Sequence, residues 1–157
     1  YLHTVLTSDA PYKGWKIPET TLVYPWIVRL FPDIRYIHWV RDPRDCILGS
    51  HLTDDLNDFG IRYEKTDDVR TNRAISWLYQ REIMHDTPAP AHVLAVRFED
   101  MVFHQDETLA RLEKFLGIPM AKIEMRTDSV GRYKTDDGVH MFPFFQAEMD
   151  ELGYAAE

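Results

Sequence analysis

The sequence has little cysteine, little positive charge and no long apolar run, and each shortage closes off a class of protein. Cys46 is the only cysteine, so an internal disulfide is excluded and a cysteine-based metal centre is not expected. No run of 18 apolar residues occurs, so no membrane-spanning helix is predicted. A charged segment leading into an apolar run and a small-residue cleavage site is also missing from the N-terminal residues. A reducing, cytoplasmic setting is the expectation these features support. The chain carries 18 Lys and Arg against 26 Asp and Glu, a formal charge of −8. That balance argues against nucleic acid or an anionic membrane as partner. It also makes any small cluster of cations more informative.

What is present describes a folded domain. The 157 residues are 45% hydrophobic and 13% aromatic, enough to bury a core as a single domain. The first residues, Tyr1-Leu2-His3-Thr4, lack both a methionine and a recognisable domain start. The expectation is a C-terminal portion of a larger domain. Acidic pairs such as Asp54-Asp55, Asp67-Asp68 and Asp136-Asp137 lack the spacing of a metal loop, and no His-x-x-x-His pair occurs. No metal is predicted.

Turn signals around Pro11 and Gly14 leave residues 1–16 as loop with at most one short helix. Val23, Trp26, Ile27, Leu30 and Phe31 recur at helical spacing, with Pro25 in the first turn and Pro32 as the stop. Residues 34–40 read as a strand. Asp42-Pro43 supplies a cap and a first-turn proline for a helix running from 43 to about 56. A polar loop over 57–68 leads to a long helix over 71–84, and residues 92–98 are nearly all apolar, as in a parallel strand. Helices over 106–116 and 143–152 follow, closed by Gly117 and Gly153. This order predicts an α/β fold with a parallel sheet flanked by helices. Two strands are too few for such a sheet, so further strands are expected from residues 1–16 or from sequence beyond this chain.

The corner Arg41-Asp42-Pro43-Arg44-Asp45 admits two readings. Its charges could pair with one another and hold a surface turn. Alternatively, Arg41 sits at the carboxyl end of a strand, where α/β sheets bind ligands. The helix behind it would turn free N–H groups toward the same place. Arg41 would then grip an anion with its guanidinium fork, and Ser50 and His51 would add donors from the same helix.

The strand–Arg-Asp-Pro-Arg-Asp–helix run resembles the 3′-phosphate-binding motif of the sulfotransferase superfamily. Those enzymes take sulfuryl from 3′-phosphoadenosine-5′-phosphosulfate (PAPS). Three further stretches match in order. Lys16-Ile17-Pro18, followed by Leu30-Phe31-Pro32-Asp33-Ile34-Arg35-Tyr36, resembles a run of the bacterial and tyrosylprotein-type members. Val96-Arg97-Phe98-Glu99-Asp100-Met101, with Thr108-Leu109 and Phe115-Leu116-Gly117-Ile118-Pro119, resembles a second. Val130-Gly131-Arg132-Tyr133 is similar to a late basic loop of the family. The resemblance covers about residues 13–135 and implies a P-loop-like parallel fold. The family's 5′-phosphosulfate loop, P-(K/R)-S-G-T-T, has no counterpart here.

By this resemblance, Arg41 binds the 3′-phosphate and Arg132 closes over it. The family serine stands eight positions after the arginine; here Gly49 holds that place and Ser50 follows, so Ser50 is carried as the second phosphate ligand. Phe98 is either strand core or an aromatic near the adenine. Lys16 would stabilise charge on the bridging oxygen as the sulfur–oxygen bond breaks. The general base is unassigned. Cytosolic family members place a histidine two residues after the lysine, where this chain has Pro18; tyrosylprotein-type relatives use a glutamate from earlier in the chain, and Glu19 and His51 are the weak candidates here. The expected activity is transfer of a sulfuryl group from PAPS to a hydroxyl or amine acceptor, releasing the 3′,5′-bisphosphate PAP. The competing readings are a non-catalytic module that holds a nucleotide 3′-phosphate, and a fragment of a P-loop nucleotide kinase.

Overall fold

The computed structural model describes residues 2–154, and helices dominate it. Helix α1 (Leu2–Thr7) is followed by an irregular run into a 3-10 turn, Pro18–Val23, and helix α2 (Tyr24–Leu30). Strand β1 (Arg35–Val40) leads through the short helix α3 (Pro43–Cys46) to the long helix α4 (Val69–Asp86). Strand β2 (His92–Arg97), helices α5 (Phe98–Phe103) and α6 (Gln105–Leu116), and helix α7 (Phe145–Leu152) complete the chain. The two strands pair in parallel, from Arg35 beside His92 to Val40 beside Arg97. A parallel pair needs a crossover, and the segment carrying α3 and α4 supplies it.

Local chemistry explains most boundaries. Asp68 caps α4 by accepting from the backbone N–H groups of Arg70 (3.2 Å) and Thr71 (3.0 Å). Gly117 ends α6 at φ 74, a left-handed turn that costs glycine nothing. Two apolar clusters hold the layers. One gathers Ile47, Ala74, Phe142, Phe145, Met149 and Tyr154, joining α7 to α4 and the strand-end corner. The other packs Val96, Met101, Leu109 and Leu112 beneath the sheet, with Ile37, Leu94 and Met120 against it.

Two expectations are corrected. The helix over 43–56 lasts only from Pro43 to Cys46. The chain tightens into turns in which Leu48 N–H reaches Asp45 O and Gly49 N–H reaches Cys46 O, both at 3.4 Å, and side chains take up the same carbonyl and the next. His51 Nε2 lies 3.2 Å from Cys46 O, and Arg73 Nη1 donates to Ile47 O at 3.1 Å. The His51 N–H turns away to Asp54 Oδ2 at 2.9 Å. Residues 1–16 add no strand either: among the described residues the sheet has two strands, and 2–7 are helical.

A cleft of about 1340 Å³ runs beside β1. Every residue from Asp33 to Arg41 lines it. Successive strand residues point to opposite faces, so a cleft that touches them all follows the edge of the strand. β2 occupies the other edge. Strand β1 therefore presents an open edge to a roomy groove.

Candidate functional site

The carboxyl ends of both strands meet at one corner. Asp42 caps α3, accepting from the Arg44 N–H at 2.9 Å. The same carboxylate grips the Arg44 guanidinium at 3.0 Å from Nε and 2.7 Å from Nη2, and both side chains are buried. Arg44 lies over the Tyr133 ring, 4.1 Å from its centroid. Asp42 and Arg44 are thus a sealed structural pair.

Arg41 is held differently. Its guanidinium lies 4.7 Å from the Phe98 ring centroid, donates to the Ser129 carbonyl and stands 3.4 Å from Asp45 Oδ2. Its side chain remains 24% exposed, while its Nε is buried with no hydrogen-bond partner. A buried donor without a partner is unusual in a folded protein, and it is the exposed part of the guanidinium, not this sealed nitrogen, that a ligand can reach. Both arginines of the corner therefore meet an aspartate, Arg44 in a sealed pair and Arg41 at longer range with its side chain partly exposed.

Asp45 organises the approach from the far end of the chain. Its side chain is fully buried; Oδ2 accepts from the Gly131 N–H at 2.7 Å and Oδ1 from the Tyr133 N–H at 3.1 Å. Gly131 takes φ 73, a left-handed conformation at the turn whose Gly131 and Tyr133 N–H groups face one carboxylate. Arg132 is otherwise exposed, and its Nη2 donates to the Asp45 carbonyl at 3.2 Å. The loop therefore delivers Arg132 to the corner that holds Arg41.

The remaining predicted residues separate. Phe98 is the first residue of α5 and half-buried, so it is a helix residue beneath Arg41 rather than strand core. Ser50 is exposed in irregular chain beyond α3, so the shared-helix placement is corrected. With α3 only four residues long, the helix-dipole contribution also falls away. Lys16 is exposed on the loop before the first 3-10 turn, and it lines the same cleft as Arg41. His51 lines it too, but its Nε2 hydrogen is directed to Cys46 O. Glu19 lies in the turn Pro18–Val23.

Sequence reasoning missed three contributors. Asp45 was legible only as a charge four residues after Arg41. Glu99 accepts the Asp42 N–H on one oxygen (3.0 Å) and the Tyr154 hydroxyl on the other (2.8 Å), tying the strand-end turn to the chain after α7. His38 lies in the cleft wall, and burial, with Arg81 and His85 adding repulsion, holds its pKa down to about 4 from 6.5. No pattern in the strand announces that a distant arginine faces it. Nearby, His85, Glu148 and Glu151 bring ligand atoms within 4.8 Å of one another. The Arg81 guanidinium already pairs with Glu148 at 2.7 Å and Glu151 at 3.3 Å, which makes the group an ion-pair tie between α4 and α7.

A neutral, half-buried His38 makes stability pH-dependent. Its folded pKa is depressed, so the unfolded chain takes up its proton first as pH falls below 6.5. The contribution is full above that value and lost by pH 4, on the order of 3 kcal/mol. Thermal melting at pH 7 and pH 4.5 should show His38→Gln losing several degrees less than the wild type on acidification. Equal losses would take His38 out of the acid transition.

This is an α/β protein that gathers two arginines and an aromatic ring at the carboxyl end of a parallel strand pair. The model of the sulfotransferase family matches residues 2–122, and the chain belongs to that family. No curated protein and no solved structure matches it significantly. Family membership supports a sulfuryl-transfer function broadly and a PAPS-type donor. Among the described residues no helix is long and apolar enough to cross a membrane.

Proposed function

We propose that this chain holds the 3′-phosphate end of PAPS at the Arg41 corner and serves sulfuryl transfer to a hydroxyl or amine acceptor, with PAP as the product. The observation that carries the reading is the convergence of Arg41 and Arg132 on Asp45. Two guanidinium groups, one partly exposed at the strand end and the other on the exposed late loop, fit a dianionic phosphate. Phe98, already stacked under Arg41, offers an apolar face near the adenine. Ser50 joins only if its loop folds inward on binding. Lys16, across the shared cleft, would neutralise charge on the bridging oxygen while the acceptor oxygen forms its bond to sulfur. The acceptor proton passes to a base that this reading does not assign.

The same reading makes the chain part of a larger P-loop-like domain. The sheet edge along β1 is open, and the family's 5′-phosphosulfate loop follows a strand. A strand added in the groove beside β1 would place such a loop next to Arg41. Isothermal titration tests the division of labour. The 157-residue chain should bind PAP and bind adenosine 5′-phosphosulfate, which lacks the 3′-phosphate, at least about tenfold more weakly. Equal affinity, or no affinity for either, would sink the 3′-phosphate reading and leave the non-catalytic alternative equally unsupported. Sulfuryl transfer from PAPS by this chain should be weak or undetectable. Robust turnover would show that no further donor loop is needed.

A further inference from the structure

We propose that Asp45 is a positioning residue that sets Arg41 and Arg132 as one unit around the nucleotide 3′-phosphate; this rests on the 3′-phosphate reading above. Asp45 reaches both cations with different atoms. Its carboxylate Oδ2 stands 3.4 Å from Arg41 Nη2, and its backbone carbonyl accepts from Arg132 Nη2 at 3.2 Å. Between these, its two carboxylate oxygens fasten the loop that carries Arg132, through the N–H groups of Gly131 and Tyr133. One fully buried residue therefore sets the distance from the strand end to the late loop.

The contrast with Asp42 separates positioning from simple charge pairing. Asp42 saturates Arg44 with contacts of 2.7 to 3.2 Å, and both are sealed from solvent. Asp45 spends its hydrogen-bonding capacity on backbone N–H groups and meets Arg41 only at long range. A buried carboxylate needs such partners to offset its desolvation. The arrangement satisfies the carboxylate without consuming Arg41, which stays partly exposed with an orphaned Nε. Two aspartates three residues apart thus play opposite parts: one neutralises its arginine and the other aims its own.

Asp45→Asn tests this, because an amide matches the carboxylate in shape but turns a donor toward one of the two loop N–H groups. The readout is the ratio of affinities for PAP and adenosine 5′-monophosphate, which differ only in the 3′-phosphate. In the wild type, a ratio near one would overturn the 3′-phosphate reading itself. Given a wild-type preference for PAP, Asp45→Asn should lower that ratio by about tenfold or more, with affinity for the monophosphate changed less than about twofold. A folded variant that keeps the wild-type ratio would overturn the role of Asp45. So would equal weakening of both nucleotides, the mark of a general loss of structure around the site. If Asp45→Asn does not fold, Arg41→Ala, Arg132→Ala and their double variant decide the matter. Two arginines set as one unit should show losses in PAP affinity that combine to less than their product. Losses that multiply would show that the two act independently.

Discussion

Arg41→Ala is expected to raise the dissociation constant for PAP roughly a hundredfold and to abolish most of the rise in melting temperature that PAP gives the wild type. A guanidinium fork on a phosphate makes charge-assisted contacts of about 1.5–3 kcal/mol each, and alanine removes both. The cost to the free protein should be small. The side chain is partly exposed, and its bonds run to the Ser129 carbonyl and, at long range, to Asp45. The Asp45 carboxylate keeps its two backbone donors when Arg41 is gone. Arg41→Lys should recover only part of the loss, because an ammonium restores charge without the planar fork. Ligand-free melting temperatures within a few degrees of each other, together with a lost PAP shift, would locate the defect in binding. Equal PAP shifts in wild type and Arg41→Ala would remove Arg41 from the site.

The parts of this site that were legible in the sequence are those set by neighbours along the chain. The Asp42 cap, the proline behind it, the apolar strand before it and the glycine closures at 117 and 153 all follow from local chemistry. The extent of α3 did not. Its continuation depended on whether the carbonyls of Cys46 and Ile47 met the N–H groups four residues on; Gly49 N–H and His51 Nε2 reach the first and Arg73 the second. Arg73 sits in α4, so no local pattern could have shown the competition. That one correction also decides Ser50, whose expected place on a helical face vanished with the helix. Asp45 was hidden for the same reason, since its donors come from residues 131 and 133. Two strands are too few for a stable parallel sheet, which is why further strands were expected, but nothing in the sequence said which edge of the pair lies open. That a groove accompanies the full length of β1 is visible only in three dimensions.

Arg44→Ala should show the opposite phenotype from Arg41→Ala, a large loss of stability, although the two arginines stand three residues apart. Arg44 and Asp42 are both about nine-tenths or more buried and share contacts from two guanidinium nitrogens to both carboxylate oxygens. Removing the arginine leaves a buried carboxylate without its counter-charge, a defect that typically costs about 3–5 kcal/mol. It also removes the cation from the face of Tyr133, loosening the late loop from the strand end. For a domain of this size the melting temperature should fall by roughly 10 °C. A cavity account is separately tested by Arg44→Met, which refills the space but restores no charge and should rescue little at neutral pH. An Arg44→Ala variant within about 1 kcal/mol of the wild type would mean that the pair contributes nothing to the fold. In that case the arginine would have to be sought, with Arg41, among the ligands of the phosphate.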